Sequence, residues 1–174
     1  MIKKDILAST VISATVPDWS REYKSFFAWD PSRSLLASIR AYQSYSNSSF
    51  FLGKIAKKIA VFSHRFWSIV TGADIPINTK IEGGLLIPHL NDIVIHPNVK
   101  VGASSLIFQQ VTIGSVNEST PPTIGGHVDI VAGAKVLGDI QTGDHAKIGA
   151  NTMVLIDVPA GKTAVGIPAK ITKN

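Results

Sequence analysis

The stretch TIGGHVDIVAGAKVLGDIQTGDHAKIGANTMVL, residues 123–155, repeats one pattern every six residues. The leading positions of its hexads are Ile124, Ile130, Val136, Thr142, Ile148 and Val154. The fifth positions are small or apolar: Val128, Ala134, Ile140 and Ala146. A helix repeats about every 3.6 residues and a strand about every two, so neither produces this spacing. A six-residue repeat is typical of a parallel β-helix with three flat faces, which uses about eighteen residues per coil.

The same period can be followed upstream as far as Ile75. Read in sixes from there, the leading positions are Ile75, Ile81, Ile87, Ile93, Val99, Ser105 and Val111. Thirteen residues then separate Val111 from Ile124, where a strict repeat has twelve. The interruption falls at Ser115–Pro122, whose two prolines predict a loop that leaves the coil. We therefore predict a β-helix over residues 74–174. An antiparallel sandwich, the alternative, would need turns of unusual regularity.

Residues 1–73 follow a different pattern and form a predicted helical region. They hold all three tryptophans and all three tyrosines, whereas Phe108 is the only Phe, Tyr or Trp after Asp74. Helical spacing predicts a short helix over Ser32–Arg40 and a longer one over residues 50–70, with Gly72 as its stop signal.

The longer helix is predicted to be amphipathic and basic. Its apolar face consists of Ile55, Ile59, Phe62, Phe66 and Ile69, and its basic residues are Lys54, Lys57, Lys58 and Arg65. We predict that the apolar face packs on the β-helix or on neighbouring subunits. Peripheral contact with an anionic membrane through residues 50–70 is the alternative.

Composition excludes several classes of protein. The chain has 174 residues, a formal net charge of +5, and no cysteine, which excludes disulfides, thiolate metal sites and an acyl-cysteine intermediate. No metal ligand set is predicted. The basic charge suits an anionic ligand, but no nucleic-acid motif accompanies it, so no nucleic-acid partner is expected. The start lacks the sustained apolar core of a signal peptide and no apolar run is long enough to span a membrane, so a cytoplasmic location is the default expectation.

Five segments of the β-helix resemble a known family. They are GLLIPHLNDIVI (84–95), QQVTIG (109–114), VAGAKVLGDI (131–140), AKIGANTMVL (146–155) and VGIPAKI (165–171). In this order they resemble the catalytic half of serine acetyltransferases and their relatives among the hexapeptide-repeat acyltransferases. The resemblance implies a left-handed parallel β-helix, acetyl-CoA as cosubstrate, and a homotrimer whose active sites lie between neighbouring subunits.

The resemblance also implies a general base. The family's catalytic histidine corresponds to His89, and its orienting aspartate, fifteen residues earlier, corresponds to Asp74. Histidine titrates near neutral pH, which suits removal of a proton from an attacking hydroxyl. A carboxylate on the other ring nitrogen fixes the tautomer and stabilises the imidazolium. Fifteen residues is slightly less than one coil, so the two side chains are expected on adjacent coils. Backbone N–H groups near the loop are candidates for the oxyanion donor.

The cosubstrate and acceptor residues are predicted from the same matching. Small residues that let the pantetheine arm approach the backbone, and basic residues near the nucleotide end, correspond to Gly114, Ala132, Lys147, Ala150 and Lys170. Polar residues near His89 in the repeat are the predicted acceptor-binding groups: Asn91, Asp92 and Gln110. The remaining histidines are interpreted as solvated or surface residues: His64, His96, His127 and His145.

The chain departs from the family where the acceptor binds. Serine acetyltransferases carry an Arg-His pair in the loop, but Thr120 and Pro121 stand there, and the aspartate beside the catalytic histidine is replaced by Pro88. These losses remove charge partners for an amino acid. We therefore predict direct acetyl transfer to a sugar hydroxyl of a capsule, exopolysaccharide or lipopolysaccharide. Serine O-acetylation is the first alternative and a non-catalytic scaffold the second.

Overall fold

The computed structural model describes residues 12–25, 27–116 and 120–172. Most of the stretch for which no signal peptide is predicted, and the centre of the loop predicted at Ser115–Pro122, lie outside these residues. A short 3-10 helix (Trp19–Glu22) is followed by α1 (Pro31–Tyr45) and α2 (Phe51–Thr71). Both predicted helices are therefore present, and α1 extends beyond its predicted end. Gly72 ends α2 in the left-handed conformation, as the stop signal requires.

The rest of the chain forms a left-handed parallel β-helix with three faces. Face 1 consists of β1 (Lys80–Ile81), β3 (Lys100–Val101), β6 (Thr123–Ile124) and β9 (Gln141–Thr142). Face 2 consists of β4 (Leu106–Ile107), β7 (Asp129–Ile130), β10 (Lys147–Ile148), β12 (Thr163–Val165) and β13 (Lys170–Ile171). Face 3 consists of β2 (Val94–Ile95), β5 (Thr112–Gly114), β8 (Lys135–Leu137) and β11 (Met153–Val154). All these pairings are parallel except that of β12 with β13.

The inward residues stack from coil to coil in three rows. The row on face 1 is Ile81, Val101, Ile124 and Thr142; the row on face 2 is Ile107, Ile130, Ile148 and Ala164; the row on face 3 is Ile95, Ile113, Val136 and Val154. All twelve are buried. The predicted register is correct from Ile124 onward, and each buried aliphatic side chain there contributes about 1.5–3 kcal/mol to the core.

From Ile93 to Val111 the predicted register is wrong by two residues, whereas Ile75, Ile81 and Ile87 lie in the stacking rows as predicted. Ile93, Val99, Ser105 and Val111 were predicted to lead their hexads, but the stacking rows pass through Ile95, Val101, Ile107 and Ile113. The physical reason is that the fifth position of each hexad also points inward, so both sets of residues are buried. A slip of two residues therefore leaves the apolar pattern intact.

Two insertions account for the slip. Ile87 and Ile95 are eight residues apart instead of six, so two extra residues bulge from the corner that carries His89. Ile113 and Ile124 are eleven residues apart, which gives the loop five extra residues within one corner. Together the two insertions add one hexad and one further residue. The sequence pattern therefore showed an excess of only one residue.

The helix α1 fastens the N-terminal region to the first coils. Leu35, Leu36 and Ile39 are buried in the same core cluster as the β-helix rows. The Arg40 guanidinium donates to the carbonyl oxygens of Ile81 and Glu82 and pairs with Glu22 at 2.7 Å. These bonds satisfy backbone carbonyls at the open end of face 1.

The helix α2 is attached differently. It buries Gly53, Ala60 and Thr71, and its contacts are mainly with α1. Its predicted apolar face does not pack on the β-helix: Phe62 is 77% exposed and Ile69 is 84% exposed. That prediction is wrong for the chain's own β-helix, because the small residues of α2 form its buried face instead. Among residues 12–25, 27–116 and 120–172, no helix has the length and hydropathy needed to cross a bilayer.

Candidate active site

The candidate site lies along the edge where face 2 turns into face 3. We call this the His89 edge, and it comprises residues 88–93, 108–111, 131–134 and 149–152. Backbone hydrogen bonds link its corners from coil to coil: Gln110 N donates to Asn91 O, and Asn151 N donates to Ala132 O, each at 2.9 Å. The loop of residues 115–122 leaves from a different edge, between faces 3 and 1. We call this second edge the loop edge.

His89 lines a cleft between the His89 edge and both helices. This cleft, the His89 cleft, has a volume of about 480 Å³ and is lined by Pro31, Ser32, Val70, Thr71, Pro88, His89, Leu90, Asn91 and Gln109. The start of α1 and the end of α2 thus form one wall, and the two-residue bulge forms the other. The His89 side chain is exposed, so a substrate can reach it.

Asp74 lies one coil before Val94, the residue at which face 3 begins after the His89 edge. Its N–H donates to Ile93 O at 2.8 Å and its carbonyl accepts from Ile95 N at 2.9 Å, which places it beside the segment that follows His89. In the described part of the chain, the two ion pairs are Arg33–Asp30 and Arg40–Glu22. Asp74 therefore lies on the coil adjacent to the one that carries His89, and the ion pairs of the described residues do not join the two side chains.

The predicted acceptor residues are divided between the cleft and the backbone. Asn91 lines the His89 cleft, but Asp92 and Gln110 do not. Both have positive φ, 56° and 60°, so they occupy the left-handed corner positions of their coils. Asn, Asp and Gly are favoured in that conformation, which gives Asp92 a structural role at its corner.

Gln109 is a cleft residue that sequence reasoning missed. Its Oε1 atom is buried and has no hydrogen-bond partner among the described residues, although the residue lines the His89 cleft. An unpaired buried acceptor costs about 1–3 kcal/mol, so a donor from a bound ligand would stabilise it. The QQ dipeptide was the available signal, and the prediction named Gln110 rather than Gln109.

The predicted cosubstrate residues lie on three separate surfaces. Ala132 and Ala150 stack on the His89 edge. Gly114 ends β5 at the loop edge, where an added Cβ would meet no atom of the described residues within 4 Å. Lys147 begins β10 on face 2, and Lys170 pairs with Val165 at the end of the same face. Within one chain, Gly114 and His89 are therefore on different edges.

The other histidines form hydrogen bonds or close ring contacts that the sequence did not predict. His64 is not solvated: its Nε2 lies 2.9 Å from Ile75 O, and burial lowers its pKa. His127 and His145 occupy left-handed corners of successive coils, with their Nδ1 atoms 2.8 Å apart. Burial is the largest cause of the lowered pKa of His127. His96 Nδ1 accepts from Asn98 N at 3.2 Å.

No group of three or more His, Cys, Asp or Glu side chains among the described residues is arranged to hold a metal ion. The chemistry available along the His89 edge is that of an exposed imidazole, the exposed Asp92 carboxylate, side-chain amides and backbone N–H groups. That set suits proton transfer from a hydroxyl and binding of an uncharged carbonyl group.

Comparison with known proteins identifies close relatives. The chain is 38% identical over 138 residues to serine acetyltransferase of Helicobacter pylori, covering 77% of each chain. A solved serine acetyltransferase in complex with CoA is 32% identical with a TM-score of 0.69, covering 83% of this chain and 58% of that one. Soybean serine acetyltransferase complexed with serine gives 32% identity, a TM-score of 0.69 and coverage of 82% and 57%. The chain thus spans little more than half the length of these solved structures. No family model matches it.

Proposed function

Because this chain belongs to the serine acetyltransferase family, we propose that it transfers the acetyl group of acetyl-CoA to the hydroxyl of L-serine. Family membership makes the chain an acyl-CoA-dependent O-acetyltransferase with acetyl-CoA as its cosubstrate, as the sequence predicted. The observation that carries the serine assignment is the 38% identity to the Helicobacter pylori enzyme over 77% of both chains. The predicted sugar acceptor gains no support from these relatives, and neither does the scaffold alternative.

The proposed chemistry is direct attack of the acceptor hydroxyl on the thioester. His89 removes the hydroxyl proton as the oxygen bonds to the carbonyl carbon, and the imidazolium then returns the proton to the departing CoA sulfur. Asp74 stabilises the imidazolium from the adjacent coil, in a geometry that tightens when substrates bind. The chain has no cysteine to form an acyl-cysteine intermediate.

The geometry supports a site shared between subunits. His89 and Gly114 lie on different edges of the prism, so one chain cannot surround a thioester that contacts both. A second prism, with its loop edge placed against the His89 edge of the first, would enclose the ligand. We propose a homotrimer built in this way. A monomer that keeps full activity on dilution, measured by sedimentation and CoA release, would contradict it.

An ion pair near His89 supports an amino-acid acceptor. A cleft of about 280 Å³ adjoins the His89 cleft through Pro88, and its wall includes Asp30 and Arg33. Arg33 Nη1 lies 3.0 Å from Asp30 Oδ2. An amino acid needs an anion for its ammonium group and a cation for its carboxylate, and this pair offers both. It would replace the charges that Pro88, Thr120 and Pro121 do not supply.

A sugar hydroxyl is the second candidate acceptor, favoured by the lining of the His89 cleft itself. The cleft contains no Lys, Arg, Asp or Glu, and its polar groups include Ser32, Asn91 and Gln109. Hydroxyl and amide groups are the usual partners of a neutral polyol. The loop, Ser115–Pro122, also has no basic residue.

An acceptor panel separates the two candidates. Release of CoA from acetyl-CoA is measured with L-serine, simple sugars and the host glycan, using His89→Ala as the control for background hydrolysis. We expect saturable turnover with L-serine at millimolar concentrations, at least about 10²-fold above any sugar, since sites with specific polar partners discriminate by up to about 10⁴–10⁵-fold. Saturable turnover with a sugar or the glycan, and none with serine, would reverse the assignment.

A further inference from the structure

One face of α2 is an uncovered apolar stripe. Its members are Phe51, Leu52, Ile55, Ile59, Phe62, Phe66, Ile69 and Val70, all exposed, with exposed fractions from 39% to 84%. At about 100° per residue they fall within one sector of about 100° on the helix. The stripe runs for about 30 Å at 1.5 Å per residue. Soluble chains rarely expose a contiguous apolar surface of this extent without a partner for it.

The orientation of this stripe is fixed by packing on the other side of α2. Gly53 and Ala60 are buried, and a Cβ at Gly53 would lie 1.9 Å from Ser48 Oγ. The His64 ring bonds to the Ile75 carbonyl oxygen, and the Lys57 ammonium group donates to Ser46 O, so both bonds reach residues outside α2. Rotation of α2 that buried the stripe would break these contacts, so the stripe faces away from the other described residues.

The helical segment that carries the stripe has charges of one sign only. Residues 31–73 contain no Asp or Glu, but they contain six Lys and Arg residues. Arg33 and Arg40 pair with acidic residues, and Lys57 donates to Ser46 O. The other three, Lys54, Lys58 and Arg65, are exposed, and on the helix they lie together along one border of the apolar stripe.

We propose that the apolar stripe of α2 lies in the surface of a membrane that contains anionic lipids. An apolar face bordered by Lys and Arg is the arrangement of helices that lie in the headgroup region, where the cations contact lipid phosphates and the apolar side chains enter the acyl boundary. The cations along α2 would oppose a spanning orientation. A symmetric contact with α2 of a second copy would instead bring two basic borders together.

Docking of the apolar stripe on a membrane would also place the His89 cleft near the lipid surface. Val70 and Thr71, at the end of α2, line the His89 cleft. A chain lying on α2 would hold this cleft close to the lipid surface. The docking itself does not depend on which acceptor the cleft binds, so its test requires no turnover.

The test is co-sedimentation of the full-length chain with vesicles. One set of vesicles is phosphatidylcholine alone, and the other contains about 30 mol% phosphatidylglycerol. We expect at least about tenfold stronger partitioning onto the anionic vesicles, reversed by raising the salt concentration, because each Lys or Arg near the surface adds attraction that salt screens. Trp29 and Trp67, whose rings lie 5.5 Å apart at the edge of the stripe, should give a blue-shifted emission when bound.

Two pairs of variants separate the apolar and basic contributions. Phe62→Ser/Ile69→Ser should weaken binding to anionic vesicles at least about tenfold, as loss of two buried apolar groups requires. Its control is Leu155→Ser/Ile156→Ser on the β-helix, where both residues are 47% exposed. Lys54→Gln/Lys58→Gln should weaken it by about tenfold or more, against Lys80→Gln/Lys100→Gln on face 1 as the control of equal charge. Circular dichroism verifies that each variant is folded.

Three results would overturn the proposal. The first is equal, salt-independent binding of the wild-type chain to both kinds of vesicle, or binding to neither. The second is equal weakening by the stripe variants and their controls. The third is an oligomer in the absence of lipid that Phe62→Ser/Ile69→Ser dissociates, together with no vesicle binding; that result would assign the stripe to a second copy of the chain.

Discussion

The β-helix and α2 place similar apolar residues in opposite environments. Ile130, in the middle of the row on face 2, is completely buried, whereas Ile69 on α2 is 84% exposed. Both belong to regular hydrophobic patterns, of period six and 3.6 respectively. Periodicity therefore shows which residues share a face. It does not show whether the chain itself covers that face.

The largest difference in stability should come from truncating one isoleucine side chain to alanine in each region. Ile130→Ala should lower the free energy of unfolding by about 3 kcal/mol, because it leaves a cavity between Ile107 and Ile148. Ile69→Ala should change it by no more than about 0.5 kcal/mol, since the side chain makes little buried contact. Urea unfolding measures both values. Similar losses for the two variants would show that α2 is covered by its own chain.

The next effect concerns the Arg40 contacts that connect α1 to the β-helix. Arg40→Ala should lower the free energy of unfolding by about 2 kcal/mol, since it leaves the Glu22 carboxylate and two backbone carbonyls without their partner. Arg65→Ala is the matched control, because Arg65 is exposed on α2. Thermal unfolding of the two variants compares them. Equal stability of the two variants would mean that the Arg40 contacts do not stabilise the fold.

A smaller effect of opposite sign is expected inside the β-helix. The Thr152 hydroxyl is buried at an inward fifth position and has no partner among the described residues. Thr152→Val should raise the free energy of unfolding by about 1 kcal/mol, because an unpaired buried hydroxyl is replaced by a methyl group. Thr123→Val, at an exposed position, serves as the control. A loss of stability in Thr152→Val would indicate a hydrogen bond made through a buried water.

The smallest effect is a dependence of stability on pH, caused by His64 where α2 contacts Ile75. Burial lowers the pKa of His64 in the fold, while in the unfolded chain it keeps its ordinary value near about 6.5. Below that pH the unfolded state binds the proton more readily, so stability should fall as the pH drops through about 6.5. His64→Gln keeps a donor for Ile75 O and should make the fall shallower. An unchanged pH profile of unfolding would contradict this role.

The sequence predicted the β-helix well where the hexads are uninterrupted. From Ile124 to Val154 every predicted inward residue is buried. From Ile93 to Val111 the register could not be read correctly, because the leading and fifth positions of a hexad both point inward. The two-residue insertion at His89 could therefore not be recognised from the apolar pattern. Gln110 was predicted as a site residue, whereas Gln109 was not.

Contacts between regions were harder to predict than the repeats. His64 was interpreted as solvated, but the fold places its ring against the carbonyl oxygen of Ile75, outside its own helix. The apolar face of α2 was predicted to be packed on the β-helix or on neighbouring subunits, yet within this chain Gly53 and Ala60 provide the packed face. Small residues carry no hydrophobic signal, so their role depends on the shape of the partner helix.

We propose that His89 acts as the general base of an acetyl transfer from acetyl-CoA. The most direct test measures the turnover of His89→Ala in the presence of its best acceptor, together with the Kd for CoA. We expect turnover to fall by at least about 10²-fold, the usual contribution of a general base, while CoA binding is nearly unchanged. Turnover within a few fold of wild type, or a large loss of CoA affinity, would contradict the claim.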